Sequence, residues 1–191
     1  MQTSKVYEWI KKGESRRNIL MAISQPLTGK QVGKKTGIPV DTCSYTLAKL
    51  ADKTLVVCLN PEARSSRLYG LTELGRKCRE RLYHNLDLSR KEYDSPSINW
   101  KLYGWVCFSH RAAVVKSLTQ PMQPSAVKRY LRGHMPSLKI SANNIRDVMK
   151  LLLSQGIVQK VVYRQKAHPR YELTSLGQQF RMLLMRAETP C

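Results

Sequence analysis

The chain has 191 residues, of which 33 are Lys or Arg and 13 are Asp or Glu, so its net charge is +20. Hydrophobic residues make up 42% of the chain, which is enough to form cores and excludes a disordered protein. The charge is spread over both halves: residues 1–95 carry 18 basic and 10 acidic residues, and residues 96–191 carry 15 and 3. This balance predicts a polyanionic partner, most commonly nucleic acid. The alternative is a basic surface that only keeps the protein soluble.

The number and spacing of the cysteines, and the length of the apolar stretches, narrow the classes of protein that the sequence allows. The five cysteines are odd in number and form no C-x-x-C pair, which favours a reducing interior over a disulfide framework or a zinc site. No apolar stretch has the length of a signal peptide core or a membrane span. Catalytic and metal-ligand motifs are not recognisable. We therefore expect a soluble, cytoplasmic, nucleoid-associated protein that is not an enzyme and needs no metal or cofactor.

The first two predicted helices lie before residue 40. Residues 14–24 predict a helix because their apolar residues recur at helical spacing: Ile19, Leu20 and Ile23. Thr28 with Gln31 has the pattern of a capping box, which begins the second helix. Gly37 is expected to end it.

A third helix and a hairpin follow. Asp41 or Thr42 is expected to cap the helix, which has one apolar face: Cys43, Leu47 and Leu50. Residues 55–59 and 67–71 predict the two strands of a hairpin, the wing, and Thr72 is expected to cap a final helix. Two helices joined by a tight glycine turn and followed by a hairpin predict a winged helix-turn-helix domain.

This pattern occurs twice in the chain. Tyr69 and Tyr171 lie 102 residues apart, and Thr72 and Gly75 recur at the same offset. The Gln-Pro pairs at 25–26 and 120–121 lie 95 apart, so the second copy contains seven extra residues, which fall between Val127 and Ile140. Matches that recur in the same order along both halves indicate an internal duplication.

The second copy predicts the same elements at its own positions. Its helices are expected at 110–119 and 124–132, and Ser141 or Asn143 should cap a third that ends at Gly156. That helix has an apolar face of its own: Ile145, Met149 and Leu152. The wing strands are expected at 157–163 and 170–173. We therefore predict an α+β, mainly helical protein with two tandem winged helix-turn-helix domains, at 1–83 and 100–191, and a linker at 84–99.

The outward faces of the third helices are the predicted DNA-binding surfaces. In the first copy this face carries Thr42, Ser44, Tyr45 and Lys49, and in the second Asn143, Asn144, Arg146 and Lys150. Asn can bond adenine and Arg can bond guanine bidentately, whereas hydroxyls and a single Lys suit phosphate contacts or weaker reading. The second copy is therefore expected to dominate specificity. The alternative is a solvated polar helix face.

Further cations are expected to contact the DNA backbone. The wings carry Arg64, Arg67, Arg164, Lys166, His168 and Arg170, and the second helices carry Lys30, Lys34, Lys35, Lys128, Arg129 and Arg132. These side chains could follow phosphates or enter a minor groove. Arg67 and Arg170 hold similar positions at the start of the returning strand, so a shared structural role stays open for them.

Two other features admit two interpretations each. Tyr7 and Trp9 recur as Tyr103 and Trp105 ahead of the first helix of each copy. Core packing, or packing between the copies, is favoured for them over a stacking platform for single strands. Cys43 could sense redox state through its thiol, but a small buried hydrophobe is the favoured interpretation.

The string LVVCLNPEARSSRLYGLTELGR, residues 55–76, resembles the wing and following helix of archaeal winged-helix transcription regulators related to the ArsR and MarR groups. The resemblance covers residues 5–82, and more loosely residues 101–184. It implies binding to double-stranded DNA with the third helix in the major groove and the wing along the backbone. Most members are single-domain dimers, so the tandem arrangement departs from the family, and a homodimer of this chain is left open.

Three functions compete at this point. The leading hypothesis is a sequence-specific regulator of transcription, a repressor. The second is an architectural or replication-associated DNA-binding protein. The third is a winged-helix scaffold for protein interactions, and the charge of +20 argues against it because a scaffold has no need of such a charge.

Overall fold

The computed structural model describes residues 2–85, 98–161 and 168–189. Over these ranges the chain is mainly helical with small antiparallel sheets, which agrees with the predicted α+β class. Its contacts divide it into two compact units, Met1–Trp105 with Ala187–Cys191, and Val106–Arg186. Most of the predicted linker, residues 86–97, lies outside the described residues. The predicted domain boundaries therefore stay a prediction. None of the described helices is long and apolar enough to cross a membrane.

The first unit combines helices with a three-stranded sheet. Its elements are α1 (Gln2–Lys11), α2 (Glu14–Ala22), β1 (Leu27–Thr28), α3 (Gly29–Thr36), α4 (Val40–Asp52), β2 (Val56–Cys58), β3 (Leu68–Leu71), α5 (Glu73–Asn85) and most of α6 (Trp100–Val106). The strand order is β1-β3-β2, and both pairings are antiparallel. The sequence predicted neither α1 nor α6 nor the short strand β1.

Local sequence explains where α3 begins and ends. The Thr28 hydroxyl accepts a hydrogen bond from the Gln31 backbone N–H, and the Gln31 side chain accepts one from the Thr28 N–H at 2.8 Å. Both bonds of the predicted capping box are therefore present. Gly37 ends the helix with φ of 73°, a left-handed conformation that glycine adopts without steric cost.

The start of α4 differs from the prediction. The N-cap residue is Pro39, which makes no side-chain capping bond, and the helix already begins at Val40. Asp41 and Thr42 therefore lie inside the first turn rather than at the cap. Proline is tolerated at the beginning of a helix because the backbone N–H groups there have no partner inside the helix in any case. A carboxylate in the first turn still interacts favourably with the helix dipole.

The core of the first unit confirms the packing interpretation of its leading aromatic residue. Tyr7 and Ile10 of α1 are buried together with the predicted apolar faces of α2 and α4, which include Ile19 and Leu47. Trp9 is half-buried, and the Arg16 guanidinium lies 4.2 Å from its ring centroid. Neither aromatic ring is thus presented as a free stacking platform.

Tyr103 of α6 is fully buried within the first unit. Its hydroxyl accepts a hydrogen bond of 3.4 Å from the Gln31 side chain. The adjacent Gly104 lies against Asn60, where a Cβ would come within 2.7 Å of the amide nitrogen. The contacts thus join most of α6 to the first unit, whereas the sequence placed residues 100–106 at the start of the second domain.

The second unit repeats the helical and hairpin elements. They are α7 (Ser109–Ser117), α8 (Pro124–His134), α9 (Ala142–Ser154), β4 (Val158–Val161), β5 (Arg170–Leu173) and most of α10 (Ser175–Glu188). Ser141 is the N-cap of α9, and its hydroxyl accepts the Asn144 backbone N–H at 3.1 Å. Of the two predicted caps, Ser141 is therefore correct and Asn143 is not. Residues 162 and 163, the predicted end of the first wing strand, lie outside the described residues.

Matching residues make matching contacts in the two units. In the first, Leu27 pairs with Tyr69, and in the second, Met122 pairs with Tyr171. The helices before these pairs end in the same conformation, with φ and ψ of −80° and 78° at Ile23 and −79° and 79° at Leu118. The two units thus share local backbone geometry at positions that the sequence comparison matched.

One matching position is occupied by different residues. Thr54 and Gly156 lie 102 residues apart, and both are left-handed, with φ of 56° and 66°. This conformation is costly for a β-branched residue and not for glycine. The first unit therefore carries backbone strain at a position where the second does not.

Exchanging the residue types should move stability in opposite directions. Thr54→Gly should stabilise the first unit by about 0.5–1 kcal/mol, and Gly156→Thr should destabilise the second by about 1–2 kcal/mol. Urea unfolding midpoints of the two variants and the parent chain measure both effects. A loss of stability on Thr54→Gly would contradict the assigned strain.

Candidate nucleic-acid interface

The predicted surface of α4 is exposed. Thr42, Ser44, Tyr45 and Lys49 face solvent, and the opposite face of the helix is fully buried through Cys43, Leu47 and Leu50. Tyr45 is 66% exposed, which is unusual for a large aromatic side chain. The Lys49 ammonium lies 5.5 Å from the Tyr45 ring centroid and 3.9 Å from Asp52 Oδ2. The face therefore presents hydroxyls, one aromatic ring and one partly neutralised cation.

The corresponding surface of α9 is also exposed but has different chemistry. Asn143, Asn144, Arg146 and Lys150 face solvent, opposite the buried Ile145, Met149 and Leu152. Arg146 Nη1 donates to Asn143 Oδ1 at 3.4 Å, and Lys150 Nζ lies 3.8 Å from Asp147 Oδ1. Both ion pairs on these helices are exposed, so they contribute little and would yield readily to a stronger anion. Amide and guanidinium groups on one helix face can make two-point hydrogen bonds to base edges.

The helices ahead of α4 and α9 also carry the predicted cations. Lys30 and Arg129 are exposed, and Lys128 is half-buried. Two lysines of α3 already have partners within the first unit: Lys34 Nζ lies 2.7 Å from Glu188 Oε1, and Lys35 Nζ donates to the Thr189 carbonyl at 3.0 Å. A phosphate would therefore have to displace these groups, which the sequence did not indicate.

The hairpin of the first unit is braced by a residue that the sequence did not single out. Asn60 is buried, its Oδ1 accepts the Leu68 backbone N–H at 2.6 Å, and its Nδ2 donates to the Ser66 carbonyl at 3.2 Å. These bonds close the turn that carries the exposed Arg64. An Asn directly before a Pro is a common turn signal, and it could have identified Asn60.

Three of the remaining predicted wing cations are described. Arg67 is exposed, and its Nε donates to the Ala63 carbonyl at 3.1 Å, which favours the structural role left open for it. Arg170 and His168 are exposed in the second unit. Arg164 and Lys166 lie outside the described residues.

The described cysteines differ in burial. Cys43 and Cys78 are buried, and Cys58 and Cys107 are half-buried. Burial raises the pKa of the Cys43 thiol, and its hydrogen bond with Thr36 only partly opposes this. A raised pKa leaves less thiolate at neutral pH, and thiolate is the reactive form. Over the part of the chain that is described, no three or more His, Cys, Asp or Glu side chains group to hold a metal ion.

Comparison with known proteins adds no further information about these surfaces. No family model, curated protein or solved structure matches the chain. The resemblance of residues 55–76 to archaeal winged-helix regulators therefore remains a prediction from sequence.

The thiol chemistry can be tested directly. In the native protein at neutral pH, iodoacetamide should alkylate Cys43 much more slowly than Cys58, because the Cys43 sulfur is buried and its pKa is raised. Mass spectrometry of peptides taken over time measures each rate, and the two rates should converge in denaturant. Equal rates in the native protein would favour the thiol-sensor interpretation.

Proposed function

We propose that the chain is a sequence-specific double-stranded DNA-binding protein and a regulator of transcription. In this proposal each unit contains a winged helix-turn-helix, with α4 and α9 in the major groove and the hairpins along the backbone. The observation that carries the proposal is that the surfaces of α4 and α9 are divided in the same way into a buried and an exposed face. Each is preceded by a short helix and a turn, buries one apolar face and exposes a polar, partly basic one. A helix presented in this way fits the width of the major groove.

Charge supports a nucleic-acid partner independently of the fold. The net charge of +20 comes from both halves, so each unit can contribute to an electrostatic attraction for phosphates. Repression is the simpler regulatory outcome, because a protein bound across a promoter blocks it without recruiting a partner. The bound protein would then be associated with the nucleoid, and a homodimer would place two copies of each helix on a symmetric site.

We propose different roles in DNA binding for the two units. The exposed face of α9 carries two amides and a guanidinium, which are the groups best suited to base edges. The exposed face of α4 carries hydroxyls and Lys49, which suit phosphate contacts. We therefore assign sequence reading mainly to the second unit, and affinity and orientation to the first.

Binding to duplex DNA should depend strongly on salt. Each neutralised phosphate releases condensed counterions, so affinity should fall roughly a thousandfold or more between about 50 and 200 mM salt if about six phosphates are contacted. Fluorescence anisotropy with a labelled duplex over a salt series measures the slope. A flat slope would overturn the proposal of DNA binding.

Sequence preference separates a regulator from an architectural protein. Selection from a random duplex library should enrich one sequence, and that sequence should bind at least a thousandfold more tightly than random DNA. Strong, salt-dependent binding with no enriched sequence would instead favour the architectural or replication-associated alternative.

The division between the units can be tested with a matched pair of substitutions. Asn144 and Thr42 lie 102 residues apart and are both exposed on their helices. Asn144→Ala should cost about 1–3 kcal/mol on the enriched sequence and relax selectivity at one base pair. Thr42→Ala should cost less and leave selectivity unchanged. The reverse result, with selectivity lost only in Thr42→Ala, would assign sequence reading to the first unit.

A further inference from the structure

The second unit contains a concavity beside the exposed face of α9, lined in part by Arg146 and Lys150 of that face. It has a volume of about 350 Å³ and lies between the start of α8, the exposed side of α9 and the beginning of β5. The lining residues with polar side chains are Gln123, Ser125, Arg146, Lys150, His168 and Tyr171. They come from three separate parts of the unit, so only the folded unit assembles them.

The chemistry of this lining suits a phosphate group. Arg146 offers a planar fork of N–H donors that matches two phosphate oxygens, and Lys150 adds a point charge. His168 and Ser125 add further hydrogen-bond donors. Among the described residues no carboxylate lines the concavity, although Asp147 lies 3.8 Å from Lys150 Nζ on the exposed surface. A donor-rich, positively charged hollow of this size selects an anion.

Backbone and side-chain bonds form the concavity before any ligand binds. Met122 and Tyr171 exchange two backbone hydrogen bonds, of 2.9 and 2.8 Å, which hold β5 beside the start of α8. The Gln123 side chain donates to the His168 carbonyl at 3.5 Å, and the Asn143 contact steadies Arg146. Pre-organised donors bind an anion with little loss of conformational entropy.

The first unit provides an internal comparison, because the same fold occurs there without these cations. The residues 102 positions before Arg146, Lys150 and His168 are Ser44, Ala48 and Ser66. Gly29, which corresponds to Pro124 at the offset of 95, lies so close to α4 that a Cβ would come within 2.8 Å of Ser44 Oγ. Arg146, Lys150 and His168 are therefore not required by this arrangement of elements, which forms in the first unit with small residues in their places.

We propose that this concavity, the α8–α9 pocket, binds one phosphate group through Arg146, Lys150 and His168. The phosphate comes either from the DNA backbone or from a free phosphorylated small molecule. The first source rests on the proposed function, and the second does not. In both cases Arg146 holds a phosphate rather than the guanine edge that the sequence suggested, which leaves base reading to Asn143 and Asn144.

The first experiment tests the DNA backbone as the source. Neutral methylphosphonate linkages replace the phosphates of a duplex one at a time, and each duplex is titrated with the parent chain, Lys150→Ala and His168→Gln. At one linkage the parent should lose roughly tenfold in affinity, the value of one charged hydrogen bond, and both variants should lose measurably less there, because each already lacks one of the three groups that contact the phosphate. Lys160→Ala is the matched control, because Lys160 is exposed on β4 and outside the pocket, so it should keep the parent's sensitivity at that linkage.

The second experiment uses no DNA and tests the free ligand. Inorganic phosphate and adenosine monophosphate are titrated separately while the His168 ring resonances are followed by NMR. A saturable shift in the parent and in Lys160→Ala that is lost in Lys150→Ala supports the pocket with a small phosphorylated ligand. Circular dichroism spectra of the variants that match the parent exclude unfolding as the cause.

The outcomes separate this proposal from the proposed function. If the parent binds duplex DNA but neither experiment detects coupling at the pocket, the phosphate proposal is overturned and DNA binding stands. If the parent binds no duplex, the proposed function fails, and the phosphate titration alone decides the pocket. If Lys160→Ala abolishes either signal as fully as Lys150→Ala does, the effect is one of general charge and the pocket proposal fails.

Discussion

The backbone carbonyl that follows each long helix is the point on which each unit is assembled. In the first unit the Leu55 carbonyl accepts the Thr72 backbone N–H at 3.1 Å and its hydroxyl at 3.2 Å. In the second, the Ile157 carbonyl accepts the same two groups of Thr174, both at 3.1 Å. The following helix comes so close that a Cβ at Gly75 or Gly177 would overlap that carbonyl oxygen. These contacts hold the long helix, the hairpin and the last helix of each unit in one arrangement. That arrangement also sets the orientation of the outer face of the long helix.

The folding of a unit assembled in this way depends little on the side chains of the outer face of α4 or α9. Cys43, Leu47 and Leu50 in one unit, and Ile145, Met149 and Leu152 in the other, supply the core contacts of these helices. The exposed positions differ between the units, with hydroxyls in the first and amides and cations in the second. Cations gathered on one folded surface repel one another, so their accumulation in the second unit is better explained by an anionic partner than by folding.

The first unit also has an acidic group next to its helix-borne lysines. Lys34 pairs with Glu188, and Lys35 donates a hydrogen bond to the Thr189 carbonyl. The neighbouring Ala187 is part of that unit's core. Exposed ion pairs of this kind are worth at most about 1 kcal/mol, so a polyphosphate could replace them. The replacement nevertheless reduces the gain in free energy from any anion bound at Lys34 and Lys35.

Local sequence determined much of this protein. Apolar spacing identified the long helices and their buried faces, because a helix must bury residues three and four apart on one side. Capping chemistry located the start of α3 at Thr28 and narrowed the cap of α9 to Ser141 or Asn143, because a polar side chain at that position satisfies a backbone N–H that has no partner inside the helix. The repeat of Tyr69, Thr72 and Gly75 after 102 residues predicted two similar units, since the same local rules act on both copies.

Tertiary structure decided what depends on residues far apart in the chain. The helices α1 and α6 form around Tyr7 and Tyr103, whose rings are buried against partners that no local pattern reveals. β1 exists because Leu27 pairs with Tyr69, and Lys34 is neutralised by a residue 154 positions away. The pocket likewise needs Arg146 and His168 from different elements. The sequence by itself determined which side chains are exposed and what chemistry they carry, because exposure follows from the helical period. Only the tertiary structure decided which of them share a site, because that depends on how close the packed core brings separate elements.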